Sequence, residues 1–419
     1  MSDHADTLAQ PEQSRMKVPS SLRRLFRLAP LAASAAPLAY GVTAYFMAIQ
    51  VQLFDADTKV QNLALINALS AVAAMVAQPI FGVLSDRTRS RWGARHPWML
   101  VGTAIGTLAL ISAGFATNVA MLTVCVMLIQ FGYNAWQGPF SALLPDRVPE
   151  RFRGRYSTGV GIGVLLGAVL GPVLASFFVK TIPLGYLSLA GVVLLLIVLF
   201  IALVPGIDNR GEPRKQFSLM AFLSAFWVNP IRHRDFFWGF TGRILLFGGY
   251  TMLSAYSLYI AQDYIGLSLN QATTLVPLLG LAGLPGLLIA TAVSGPLSDR
   301  VGRRKPFVLI SGFTIAAGAV IPFALPSVLG LVLQTIVVTI GFGAFAAVDQ
   351  ALMASVLPDP EDFGKDLGVL NLAATLPTTI APLAAGAIVL AIGYAPLFLI
   401  VGAIGVLGAL AVLPIRSLR

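Results

Sequence analysis

One acidic residue in this sequence stands inside an apolar run long enough to cross a membrane. Asp349 lies ten residues before Asp359, in the stretch GFGAFAAVDQALMASVLPD. A helix rises about 1.5 Å per residue, which places Asp349 roughly 15 Å from that end, near the middle of a bilayer core about 30 Å thick. An aspartate there costs on the order of 2.5–3.5 kcal/mol, and such residues mark ion pathways. We therefore expect Asp349 to carry a coupling proton.

Arg243, about two turns into another apolar run, is the expected partner of Asp349 in coupling. Two structural interpretations compete with this one. Asp349 could form a permanent ion pair with Arg243, or it could remain protonated and donate a hydrogen bond to Gln350. A sodium ion held by Asp349 and backbone carbonyls is a third possibility, so the sequence leaves the coupling ion open.

Amides and phenols lie at comparable depth in other apolar runs, and such groups suit a neutral, hydroxylated or amphiphilic solute. Taken alone, each one more often makes a hydrogen bond between helices than a contact with a substrate, but their clustering favours a substrate site. The predicted substrate-binding residues are Tyr45, Gln50, Asn134, Gln137, Tyr256, Gln350 and Asn371.

Two charged or polar phrases occur twice in the chain. GVLSDR returns as GPLSDR, and QGPFSALLPD returns as QALMASVLPD. Asp299 follows Asp86, and Gln350 follows Gln137, by the same 213 residues. An offset shared by two phrases predicts duplicated halves.

The elements that position these residues are membrane-spanning helices. Of the 419 residues, 57% are hydrophobic and 11% are charged, which is typical of a membrane protein. The predicted spans are 29–54, 62–84, 97–116, 119–143, 158–179, 184–204, 237–262, 272–297, 306–325, 329–356, 367–392 and 395–413. Six spans per copy put both copies in the same orientation, so we expect an all-α membrane protein of two parallel six-helix halves.

Basic residues predict the orientation in the membrane. All but three of the 28 Lys and Arg lie in the tails and in the loops after even-numbered spans, which places both termini in the cytoplasm. These charges lie in short loops rather than on one face, which argues against a nucleic-acid partner. The expected organisation is a cytoplasmic tail (1–28) without a cleaved signal peptide, a first bundle (29–204), a linker with an amphipathic segment (205–236) and a second bundle (237–419).

The repeated charged phrases lie where spans 2 and 8 end, and they predict a cytoplasmic gate. Asp86 could pair with Arg91 or Arg95, and Asp146 with Arg153 or Arg155. The alternative is that the arginines only set topology and bind lipid headgroups. The predicted gate residues are Asp86, Arg87, Arg91, Arg95, Asp146, Arg155, Asp299, Arg300 and Asp359.

The first charged phrase resembles the signature loop of the major facilitator superfamily, G-x-L-x-D-R-x-x-x-R-x-G-R-R. The matching residues are Gly82, Leu84, Asp86, Arg87, Arg91, Gly93 and Arg95, and Ala94 stands where the family favours arginine. SDRTRSRWGARHPW is most similar to this loop in the sucrose-transporter and glycoside–pentoside–hexuronide symporter branches. The resemblance implies a twelve-span secondary transporter of the cytoplasmic membrane, with spans 1, 4, 7 and 10 lining its cavity.

The leading expectation is a proton-coupled monomeric transporter of a small organic solute, of sugar or glycoside type by resemblance, surrounded by lipid. It would work by alternating access around a site near the midplane. Efflux of drugs or amphiphilic metabolites is the first alternative, and a non-transporting sensor on the same fold is the second. Neither H-E-x-x-H nor G-x-S-x-G occurs, so we expect no enzyme, cofactor or metal site.

Overall fold

The computed structural model describes residues 19–211, 233–355, 377 and 380–415, without the side chains of residues 21, 350, 351, 354 and 355. The described residues are mainly helical and contain no strand. The main helices of the first half are α1 (Arg23–Phe54), α2 (Lys59–Arg87), α3 (His96–Ala113), α4 (Val119–Ser141), α5 (Glu150–Ser176) and α6 (Ile182–Leu203). Those of the second half are α7 (Arg234–Ala255), α8 (Leu269–Val301), α9 (Lys305–Ala324), α10 (Val328–Ser355), α11 (Ile380–Ile392) and α12 (Tyr394–Leu410).

Within these ranges, nine helices are long and apolar enough to cross a membrane, namely α1–α6 and α8–α10. The number rises to ten if α7 and the short segment Ser257–Tyr264, which follows after a bend of 52°, are counted as one span. α11 and α12 are apolar but shorter than 18 residues in the part of the chain that is described. The predicted all-helical membrane architecture is confirmed, and ten of the twelve predicted spans meet the length expected for crossing a bilayer.

The outer faces of the helices are apolar. Leu108, Leu195, Ile289 and Ile310 are each more than 60% exposed, although leucine and isoleucine are usually buried in a water-soluble protein. Apolar side chains on this scale fit contact with lipid tails.

The two halves repeat the same pattern of helix packing. In the first half α4 packs against α2 and α3, and in the second half α10 packs against α8 and α9. Likewise, α6 contacts α1 and α3, while α12 contacts α7 and α9. The duplication predicted from the 213-residue offset therefore reappears as equivalent helix pairs in each half.

A glycine face brings α5 against the backbone of α1. A Cβ on Gly163 would lie 2.0 Å from the carbonyl oxygen of Pro30, and one on Gly167 would lie 2.2 Å from that of Ser34. Only glycine permits this approach, which is how small residues pack membrane helices closely. Gly163 and Gly167, one turn apart in α5, thus serve helix packing.

The loops divide the molecule into two ends. We call the end that carries the loops after α2, α4 and α8 the basic end, and the other the opposite end. The predicted amphipathic segment lies largely within residues 212–232, outside the described residues, and α7 begins at Arg234.

Candidate functional site

A buried ion pair joins α7 and α10. Arg243 Nη1 lies 3.0 Å from Asp349 Oδ2, and the two residues are 9% and 3% exposed. Asp349 is six residues before the last residue of α10, and Arg243 is nine residues after the first residue of α7. The structure therefore places the two predicted coupling residues in direct contact, in the half of each helix that is nearer the basic end.

The Arg243 guanidinium has only part of its hydrogen-bonding capacity in use. Its Nε is buried, and no described residue accepts a hydrogen bond from it. Its central carbon lies 5.4 Å from the centroid of the Phe247 ring, which adds a cation–π contact. Buried polar groups are nearly always satisfied, so an N–H without an acceptor among the described residues, beside a charge, marks this position as unusual.

An aromatic cluster continues from the ion pair along the seam between α7 and α10. Tyr250 and Phe342 stack with their ring centroids 4.2 Å apart and their planes 12° apart. Phe247 meets the rings of Phe342 and Phe345 edge-on, at 5.1 and 5.7 Å. On α7 these residues are spaced i, i+4 and i+7 from Arg243, so one helix face carries both the charge and the rings.

In the first half, a polar cluster joins α1 and α4. The amide nitrogen of Asn134 donates to the hydroxyl of Tyr40 at 2.9 Å and to the backbone oxygen of Gln130 at 2.8 Å. Gln137, one turn further along α4, is half-buried. These groups belong to spans 1 and 4, the counterparts of the spans that hold Arg243 and Asp349.

Gln50, another predicted substrate contact, is occupied within the first bundle. Its amide nitrogen donates to the backbone oxygen of Ala113 at 2.9 Å, and its amide oxygen accepts from the Tyr186 hydroxyl at 3.0 Å. The residue is 4% exposed. This side chain therefore ties α1 to α3 and α6.

Two predicted phenols also bind backbone groups. The Tyr45 hydroxyl donates to the backbone oxygen of Thr273 at 2.6 Å, and the Tyr256 hydroxyl donates to that of Pro382 at 3.0 Å. Two further predicted contacts are not placed: the side chain of Gln350, which belongs to α10, and the whole of Asn371 lie outside the described residues.

At the basic end, Arg95 bridges two carboxylates. Its guanidinium pairs with Asp86 at the end of α2, and its Nε lies 2.9 Å from Asp146 Oδ2 after α4. Ser85 accepts a further hydrogen bond at 2.7 Å. Burial alone lowers the pKa of Arg95, but the hydrogen bonds and charges of Asp146 and Asp86 outweigh it and raise the pKa above its usual value. The cluster locks the loops after α2 and α4 together.

Other predicted gate residues lie outside this cluster. Asp146 pairs with Arg95 rather than with Arg153 or Arg155, and Arg153 instead lies 3.4 Å from Glu150. Five predicted gate residues outside the cluster are exposed at the basic end, namely Arg87, Arg91, Arg155, Asp299 and Arg300. Asp359 lies outside the described residues.

The start of the linker packs onto the loop after α2, a contact that the sequence did not predict. Asn209 accepts from the Ser90 backbone N–H at 3.0 Å and donates to the Thr88 oxygen at 2.9 Å. His96 Nε2 lies 2.7 Å from the Val204 oxygen. Gly93 adopts a positive φ of 79° against Ile207, a conformation that glycine favours. Between loop and linker lies a cavity of about 300 Å³.

Contacts at the opposite end were also not predicted. Lys59 Nζ lies 2.7 Å from Asp263 Oδ1, across the two halves and 204 positions apart in the chain. The one available signal was that Lys59 is among the few basic residues outside the loops expected in the cytoplasm. In the part of the chain that is described, no group of three or more His, Cys, Asp or Glu could hold a metal ion.

Comparison with known proteins decides the family. A family model described as the Major Facilitator Superfamily matches residues 31–294 and 286–418. The chain belongs to the Major Facilitator Superfamily. It is therefore an integral membrane protein of a transporter family, which confirms the resemblance of its first charged loop and agrees with the expectation that it is not an enzyme.

Relatives within the superfamily match parts of the chain. The sucrose transport protein SUT1 of Oryza sativa subsp. japonica is 30% identical over 135 residues, 25% of this chain and 25% of that protein. An uncharacterised symporter of Synechocystis sp. is 37% identical over 83 residues, 17% of this chain and 15% of that protein. The chain thus matches a quarter or less of these relatives' length.

The whole fold is shared with a solved transporter structure. The crystal structure of the nucleoside transporter NupG has a TM-score of 0.72 and 13% sequence identity, over 93% of this chain and 100% of that one. At that identity the likeness extends to the fold alone.

Proposed function

We propose that this superfamily member is a secondary active transporter that moves a small solute of the sugar or glycoside type, coupled to protons. The observation that carries the proposal is the ion pair between Arg243 and Asp349, buried between α7 and α10. The sugar class is supported by the partial match to a sucrose transport protein and by the first charged loop.

The cost of the ion pair supports a functional role. Two charges removed from water lose several kcal/mol each in hydration, and their attraction only partly offsets this loss. Apolar residues would fill the same space at lower cost, and the rest of α7 and α10 is mainly apolar. A charge pair kept in such a place fits one that changes state during transport.

Proton coupling follows from the different chemistry of the two partners. Asp349 can take up a proton, whereas arginine stays charged at any accessible pH. A proton on Asp349 removes the negative charge that holds the Arg243 guanidinium. The guanidinium N–H groups, including Nε, for which no described residue is an acceptor, then become available to oxygen atoms of a solute. Loss of the proton restores the ion pair and displaces the solute.

The aromatic cluster supplies the second feature of a solute site. Small-molecule sites combine apolar and aromatic surface with a few polar groups that fix orientation. The ring of Phe247 lies beside the Arg243 guanidinium, and the rings of Phe342 and Tyr250 continue from it. On the first half, we assign Gln137 as a polar contact to the same solute, whereas the amide nitrogen of Asn134 already binds Tyr40 of α1.

We assign Tyr45, Gln50 and Tyr256 to structural hydrogen bonds rather than to solute binding, because their polar atoms already bind other helices. The basic loops orient the proposed transporter with the basic end in the cytoplasm. The Asp86–Arg95–Asp146 cluster then belongs to the cytoplasmic gate.

The test is solute movement in proteoliposomes under an imposed pH gradient, with a labelled panel of sugars beside cationic amphiphiles and with sodium as an alternative driving ion. Wild type is compared with Asp349→Asn and with Arg243→Gln/Asp349→Asn, which leaves no unpaired arginine. Asp57→Asn, a change of an exposed acid at the opposite end, is the matched control.

We expect the gradient to drive a sugar in wild type and control, and both Asp349 variants to lose this accumulation while retaining solute exchange. Equal accumulation in all four proteins would make Asp349 structural. If only the amphiphiles moved, in the direction opposite to the protons, the protein would be an efflux antiporter rather than an uptake transporter.

A further inference from the structure

Charged and aromatic groups from both halves meet at the opposite end. Lys59, the first residue of α2, places its ammonium group 2.7 Å from Asp263 Oδ1 and 4.9 Å from the centroid of the Tyr259 ring. The second carboxylate oxygen of Asp263 accepts from the Tyr394 hydroxyl at 2.9 Å, within the second half. Lys59 of the first half therefore contacts Asp263 and Tyr259 of the second half. Asp263 is fixed in turn by Tyr394 of α12.

Two tyrosine hydroxyls add hydrogen bonds between the halves, one donated by the first half and one by the second. Tyr45 of α1 donates to the backbone oxygen of Thr273 in α8 at 2.6 Å. Tyr259 donates to the backbone oxygen of Ala48 in α1 at 2.9 Å. Both tyrosines are buried. Each half thus binds the main chain of the other, and the Tyr259 ring also lies beside the Lys59 ammonium group.

The break after α7 brings the second-half residues into place. The chain bends by 52° between Ala255 and Ser257, and Ile260–Tyr264 forms a π-helical turn. Such turns interrupt an α-helix and recur at functional sites. Here the bent segment carries both Tyr259 and Asp263 toward Lys59.

We propose that Lys59 and Asp263, with Tyr45 and Tyr259, form the outer latch, which holds the two halves together on the side away from the basic loops. The inference rests on the proposed function in so far as alternating access requires that end to open. The side chains of Lys59 and Asp263 are 13% and 32% exposed, so water can hydrate both charges when the halves separate. A contact of this kind breaks and re-forms readily, whereas the buried Arg243–Asp349 pair stays within one half.

The outer latch is tested by the distance between the halves, which requires neither a solute nor a coupling ion. Spin labels are placed at Thr117→Cys and Ala324→Cys, exposed positions of the first and second half at the opposite end, with Cys125→Ala to remove the native thiol. Distance distributions are measured by double electron–electron resonance in Asp263→Asn, in Asp57→Asn as the matched control, and in the charge exchange Lys59→Asp/Asp263→Lys.

We expect Asp263→Asn to raise the ratio of long to short distances about fivefold, the upper range for a part-exposed ion pair. The control and the charge exchange should keep the wild-type distribution. Tyr259→Phe, which retains the ring beneath Lys59 and loses only the hydroxyl, should give a smaller shift in the same direction.

An unchanged distribution in Asp263→Asn, or a shift that the charge exchange does not reverse, overturns the outer latch. If Asp263→Asn does not fold, the Tyr259→Phe distribution decides in its place. A confirmed shift in a protein that moves no solute in proteoliposomes would leave the latch standing and reject the proposed function. Solute transport together with an unchanged distance distribution in Asp263→Asn would reject the outer latch and leave the proposed function standing.

Discussion

Asp349 and Arg243 place opposite charges 3.0 Å apart between two mainly apolar helices, where the carboxylate is almost fully shielded from solvent. The two partners are not equivalent, since aspartate can become neutral and arginine cannot. This difference predicts how the stability of the protein changes when either the aspartate or the arginine is replaced.

Asp349→Asn should destabilise the protein more than Arg243→Gln does. The first change leaves a buried cation without its partner, at a cost of about 3–5 kcal/mol. The second leaves a carboxyl group that takes up a proton, at about 1–3 kcal/mol for an imperfectly satisfied group. Thermal unfolding of the purified protein in detergent measures both, and the double variant should recover part of the loss. Equal losses, or a double variant worse than either single one, would contradict this account.

Arg95→Lys should behave more like Arg95→Gln than like wild type. A lysine ammonium is a compact charge and cannot reproduce the fork that binds Asp86, Asp146 and Ser85 together. Because both carboxylates are more than one-third exposed, solvent screens the pairs, and we expect a stability loss of about 1 kcal/mol that shrinks in high salt. Arg91→Gln, at an exposed arginine in the same loop, is the control and should leave the unfolding temperature unchanged.

Gly167→Ala should weaken the contact between α1 and α5. Its Cβ would lie 2.2 Å from the Ser34 oxygen, so the helices must separate, at about 1–3 kcal/mol for an overpacked site. Gly161, on the same helix, has nothing within 4 Å of its Cβ position, and Gly161→Ala should be neutral or slightly stabilising. Unfolding temperatures of the two variants test this directly, and an equal loss in both would point to helix propensity rather than packing.

Gln50→Leu should lower stability without changing the affinity for solute. It removes the hydrogen bonds to Ala113 and Tyr186, each worth about 0.5–1.5 kcal/mol. Tyr186→Phe should show roughly half the loss. Gln137→Leu, at a half-buried residue proposed to contact the solute, should instead raise KM and leave the unfolding temperature within the range of a typical surface change. A raised KM in Gln50→Leu would return that residue to the solute site.

The helical architecture and its duplication follow from the sequence alone. A bilayer requires each spanning segment to satisfy its own backbone, so long apolar runs predict helices without knowledge of their neighbours. The shared offset of Asp86 to Asp299 and Gln137 to Gln350 predicts the repeat in the same direct way. The acid buried within span 10 stands out for a similar reason, because charge is rare at that depth.

The tertiary structure alone decided which polar groups meet. Spans are apolar on every side, so no hydrophobic periodicity shows which face of a helix turns inward, and Gln50 and Asn134 are alike in the sequence. Each has a partner on another helix, Tyr186 for Gln50 and Tyr40 for Asn134. Asp146 pairs with Arg95, 51 positions away, and Lys59 pairs with Asp263, 204 positions away. A membrane imposes secondary structure through the cost of unpaired backbone groups, but it leaves the rotation and pairing of helices to side-chain packing.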